Sequence, residues 1–200
     1  MDLMDMFKQQ MTGAVVNQMA EKIGLGGNEQ GTTSAAQNVF TTLMGAVTKN
    51  ASTPQGAESL NKALDKNHTG SGVMDNLMSF LGSGATENVS AKAEDGNGIL
   101  KHMLGNKQEG VLQGLSQMNN MSPEATKTLM STVAPMVMSM LGNAKQQQGF
   151  DASSITQFLG NQQPKTGNNQ LSGIMSMLDS DGDGNIVDDI GGMLGGLFGK

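Results

Sequence analysis

Apolar residues in this chain return at every third or fourth position and hardly anywhere at every second, the period of helices that press one face onto a core. β-branched residues never alternate over a sustained run, so no strand is expected. One face forms at Leu3, Met6, Phe7 and Met11, and another at Val15, Val16, Met19 and Ile23, closed by Gly24. A longer helix is expected from Thr33 to Lys49, with Val39, Phe40, Leu43, Met44 and Val47 on one side. Thr53-Pro54 reads as the N-cap and first helical position of a segment carrying Leu60, Ala63 and Leu64. Ile99, Leu100, Met103 and Leu104 predict a short helix, and Val111, Leu112, Leu115 and Met118 the next. Ser122-Pro123 starts a long helix through Leu129, Val133, Val137 and Leu141, expected to kink at Pro135 and stop at Gly142. Asp151 caps another bearing Ile155, Phe158 and Leu159. The expected fold class is all-α.

The same plan reads twice. Val39, Leu43 and Val47 match Val133, Val137 and Leu141, while Leu60, Ala63 and Leu64 match Ile155, Phe158 and Leu159. An internally duplicated array of short helices with Gly-rich turns is therefore expected, its two halves meeting through Met-rich faces. Residues 1–82 form the first repeat, with a degenerate acidic loop. Residues 83–94 read as a polar linker, 95–160 as the second repeat, and 161–200 as an insertion, a calcium-type loop and a C-terminal helix.

Chemistry is concentrated in Asp179-Ser180-Asp181-Gly182-Asp183-Gly184-Asn185-Ile186-Val187-Asp188-Asp189. Carboxylates on alternate positions followed by Gly open a Ca²⁺ loop of EF-hand or dockerin-like type, in which a seventh residue offers its carbonyl. Asp179, Asp181, Asp183 and Asn185 take those positions. The standard closing Glu is replaced by Ile190, which leaves Asp188 and Asp189 to close a shortened loop. Such a cluster repels itself unless a cation or solvent neutralises it. The alternative is an acidic turn that simply stays solvated. In the first half Asp65, Asn67, Thr69, Gly70 and Asp75 match this run with fewer carboxylates, which reads as a weak or lost site.

Composition narrows the partners. The net charge is −6, every basic residue is Lys, and Trp and Tyr are absent, so the bidentate and stacking contacts of nucleic-acid recognition are missing. No stretch approaches the ~20 apolar residues of a membrane span, and the acidic start Met1-Asp2-Leu3-Met4-Asp5 is not a secretory signal. Cys is 0, which fits a reducing compartment, and a cytoplasmic protein is expected. With 18 Met and 6 Phe, the core rests on adaptable side chains.

Four segments together resemble the DUF937 family of bacterial proteins of unknown function, related to the YidB-like group. They are the opening Met-Asp-Leu-Met-Asp, Asn50-Ala51-Ser52-Thr53-Pro54-Gln55-Gly56-Ala57, Leu64-Asp65-Lys66-Asn67-His68, and Gly98-Ile99-Leu100-Lys101-His102-Met103-Leu104-Gly105. The resemblance covers most of residues 1–160. It implies an all-helical, duplicated fold and assigns no reaction or catalytic residue.

His68 and His102 are the only imidazoles, and their spacing supplies no acid–base partner. No Gly-x-Ser-x-Gly elbow and no Walker A sequence occurs. Two readings stand: a non-enzymatic helical scaffold or interaction protein with a Ca²⁺ loop at 179–189, and a metal-dependent enzyme whose other residues are unidentified. Few charges and Gly-spaced apolar faces, including Met193, Leu194, Leu197 and Phe198, favour a homo-oligomer.

Overall fold

The computed structural model describes residues 2–67, 96–162 and 169–178. Within them every regular element is helical. The first half holds α1 (Leu3–Gln10), α2 (Gly13–Lys22), α3 (Glu29–Asn50) and α4 (Pro54–Asn67). The second holds α5 (Gly96–Leu104), a 3₁₀ turn (Gly105–Lys107), α6 (Gln108–Asn119), α7 (Pro123–Gln148), α8 (Ala152–Asn161) and α9 (Asn169–Leu178). The all-α expectation holds.

Helix ends follow local chemistry closely. The Thr53 hydroxyl accepts the Gly56 amide at 3.1 Å at the start of α4, and Ser122 Oγ accepts the Ala125 amide ahead of Pro123. Asp151 and Ser154 form a reciprocal capping box at the start of α8. Asn28, not foreseen as a cap, starts α3 by accepting the Gly31 amide at 2.9 Å, so α3 begins a turn earlier than its apolar face suggests. Gly24, at φ +75°, follows α2 in the left-handed region that glycine enters without a Cβ clash.

Two long helices make the centre. α3 and α7 pack on each other and are buried on most sides, with Leu43 and Val137 both fully enclosed. α1 and α2 lie against α3, and α5 and α6 against α7. Phe7 of α1 stacks on Phe40 of α3 with ring centroids 4.3 Å apart. α4 pairs with α8 and also touches α7. The buried cluster is continuous across residues 3–64 and 99–178, so both halves share one core.

Three expectations are corrected. α7 does not stop at Gly142: it runs to Gln148, and Gly149 at φ +67° ends it. The extra turns are held by buried Ala144 and Lys145, and that packing outweighs a helix-interior Gly. The stretch read as an insertion from 161 contains α9, whose Ile174 and Leu178 join the shared core. Asp65 and Asn67, read as loop positions, lie in the last turn of α4.

Candidate functional site

The metal-ligand candidates Asp179, Asp181, Asp183, Asn185, Asp188 and Asp189 lie outside the described residues, as do Thr69, Gly70, Asp75 and the apolar run 190–198. The structure does describe the helix that leads to Asp179. α9 sits against α3 and α6, burying Leu171, Ile174 and Leu178 at helical spacing. Two glycines make room for it. A Cβ at Gly114 of α6 would lie 2.9 Å from Ile174 Cγ1, and one at Gly45 of α3 would lie 2.5 Å from Met175 Sδ. Leu178, 2% exposed, fixes the chain immediately before Asp179.

Asp65 has a different role from the one its spacing suggested. Its carboxylate accepts from Lys145 Nζ of α7 at 2.5 Å. The same ammonium donates to the Asn61 carbonyl at 3.1 Å. The Lys145 side chain is 11% exposed and that of Asp65 57%. An ion pair therefore ties the C-terminal turn of α4 to α7, and the same cation adds a hydrogen bond to a carbonyl one turn earlier in α4.

The segments that carry the family resemblance meet in space. Asn50, at the end of α3, donates from Nδ2 to the Met103 carbonyl at 2.8 Å, joining the 50–57 segment to the 98–105 segment. Ala51 is buried, and its carbonyl accepts from Thr156 Oγ1 of α8 at 3.1 Å. Thr53 caps α4 and Pro54 takes its first position, where the missing amide costs nothing. A Cβ at Gly56 would fall 1.7 Å from the Asn50 carbonyl oxygen, so only Gly allows the chain to double back there. This corner locks α3, α4, α5 and α8 together. Asn50 and Gly56 are its key residues; the Asn-x-x-Thr-Pro-x-Gly spacing was their signal in the sequence.

Lys101 and His102 lie on an exposed side of α5, and His68 lies outside the described residues. Among the described residues no three His, Asp or Glu side chains come together in a way that would hold a metal ion. The α8 cap holds a strongly perturbed carboxylate. Asp151 is held well below the usual carboxylate range by the Ser154 amide, then by the Ser154 and Ser153 hydroxyls. Among the described residues no helix is long and apolar enough to cross a membrane.

A single-core array of helices, with its polar contacts spent on joining helix ends, defines a class of all-α protein organised for packing. The chain belongs to the DUF937 family, described as bacterial protein of unknown function, whose model matches residues 5–146. That match spans α1 to most of α7 and includes the corner at Asn50. Comparison with curated proteins and with solved structures gives no match.

Proposed function

We propose that this protein is a non-enzymatic helical scaffold or interaction protein that binds one Ca²⁺ at residues 179–189. The carrying observation is the run of alternate carboxylates at Asp179, Asp181 and Asp183, followed by Gly184 and directly preceded by a helix seated on the core. Asp188 or Asp189 closes the loop, and the Asn185 carbonyl adds a further oxygen. Five of the chain's 18 acidic residues fall within these eleven positions, so a hard cation relieves a concentrated repulsion. The irregular ligand set favours Ca²⁺ over Mg²⁺, which demands near-octahedral geometry. Without a closing Glu the affinity is expected to be weak, about 10⁻⁴ M or poorer.

We also propose that the two halves are repeats. α1 to α4 and α5 to α8 follow in the same order. Val15, Val16, Met19 and Ala20 of α2 are buried as Val111, Leu112, Leu115 and Ser116 of α6 are. Asn28 and Ser122 cap α3 and α7 at the spacing that separates Val39 from Val133. Thr32 and Thr126 are fully buried at that same spacing, their hydroxyls without a hydrogen-bond partner. In sequence, Asn76-Leu77-Met78-Ser79-Phe80-Leu81-Gly82 then matches Gly173-Ile174-Met175-Ser176-Met177-Leu178-Asp179. This register differs from the match of Asp65–Asp75 with Asp179–Asp189 drawn from the acidic positions alone: it sets Asp179-Ser180-Asp181 against Gly82-Ser83-Gly84, which favours a single cation site.

Titration calorimetry with CaCl₂, together with thermal melting over the same concentrations, tests the calcium reading. One-site binding and a melting temperature that climbs with Ca²⁺ are expected, both lost when Asp181→Ala and Asp183→Ala are combined. No heat and no shift at millimolar Ca²⁺ would refute it.

A further inference from the structure

From the seam that α9 fills we infer that the groove between α3 and α6 is a docking site for this helix supplied by a second copy of the chain, so that two copies exchange α9 and associate. The inference is independent of the calcium reading. The groove is shaped for a helix. Gly45 and Gly114 leave the notches that receive Met175 and Ile174, whose side chains would stand 2.5 Å and 2.9 Å from a Cβ at those positions. Helix formation asks for neither glycine, since Gly is a poor helix former. In the repeat register their counterparts are Ser139 and Gln18. The helix they admit accounts for them.

α9 is held by a small set of anchors. Leu171, Ile174 and Leu178 are buried, Gly173 stands exposed in the middle, and ten residues are too few for a stable isolated helix. It therefore forms only when seated, and unseating it bares apolar surface on α3 and α6. A second copy offers the identical helix, so exchange keeps every contact of the seam and changes only which chain supplies α9. The rim of the groove favours the second copy. Met118 stands one turn beyond Gly114 on α6, and Met118, Met121 and Met175 are only partly covered. Apolar surface thus continues past the edge of the single chain, where a copy brought there by exchange covers it.

The chain has no Cys, so an engineered pair reports on the seam alone. A Cβ at Gly114 lies 2.9 Å from Ile174 Cγ1, which puts it at most about 4.5 Å from the Ile174 Cβ, within disulfide reach. Full-length protein carrying both Gly114→Cys and Ile174→Cys is oxidised when dilute, which locks α9 in its own chain. At high concentration, light scattering should give the wild type at least twice the 20.8 kDa monomer mass and the locked variant the monomer mass, with association restored on reduction. Separate Gly114→Cys and Ile174→Cys chains, one isotope-labelled, are also mixed and oxidised. Mass spectrometry should find position 114 of one chain linked to position 174 of the other. A mixture of Gln117→Cys and Ile174→Cys, with Gln117 exposed on α6, should not give that link. A wild type that stays monomeric, a locked variant that associates as the wild type does, or a double variant whose cysteines fail to pair overturns the proposal. Absence of the 114-to-174 link between chains means that the groove holds only its own α9, and overturns it as well.

Discussion

Ser131 has no amide four residues on to reach its carbonyl, because position 135 is proline, and Gly96 of α5 packs onto that carbonyl. A Cβ at Gly96 would fall 2.0 Å from the Ser131 oxygen, a backbone atom that cannot swing aside. Gly96→Ala is expected to destabilise the fold by about 1–3 kcal/mol, as overpacking does. Gly45 meets the end of a flexible Met175 instead, and Gly45→Ala also gains up to about 1 kcal/mol of helix propensity. It should be near neutral. Urea unfolding of the two variants measures the contrast; equal costs would show that the Ser131 contact has no special weight. At Lys145 the asymmetry is one of solvation. Asp65→Ala leaves a nearly buried ammonium without this carboxylate, whereas Lys145→Met leaves a carboxylate that water can reach. Asp65→Ala should cost about 1–2 kcal/mol, between exposed and buried pairs, and Lys145→Met less.

At the scale of the element, most helix starts were legible, Asn28 of α3 excepted, and helix ends less so: Gly24 follows α2 as its sequence suggests, but Gly142 does not end α7. Caps at Thr53, Ser122 and Asp151 act through side chains within three residues, so the information is local. Gly142 carries a stop signal that tertiary burial overrides, whereas Leu171, Ile174, Met175 and Leu178 of α9 do recur at helical spacing, next to a polar Gln- and Asn-rich stretch. The Asp151 cap has a consequence for pH. Folding lowers its pKa from the ordinary 3.8, so its stabilisation is fully present above that value and is lost as pH falls through the lower folded value. Asp151→Asn keeps an acceptor at the cap but no titrating charge. Melting temperatures should fall less steeply below pH 4 in the variant than in the wild type, and parallel acid limbs would deny the cap this role.

At the scale of the whole molecule, α3 and α7 are enclosed while Met4, Met6, Met11, Met118 and Met121 remain only partly covered. Adaptable thioethers at half-exposed positions suit self-association, and a homodimer or larger homo-oligomer is expected. Light scattering should give more than the 20.8 kDa monomer mass at high concentration, and the monomer mass with and without Ca²⁺ would refute it. The periodicity of apolar residues by itself determined that the described residues are all helical, which faces turn inward, and where most helices begin, because these depend on neighbours within four positions. Only the tertiary structure decided that both halves share one core, that Asp65 pairs with Lys145, that Asn50 reaches Met103, and that α9 fills a seam made by Gly45 and Gly114. Each joins residues far apart in sequence, and such pairing follows from how close two backbones can approach, which no local pattern encodes.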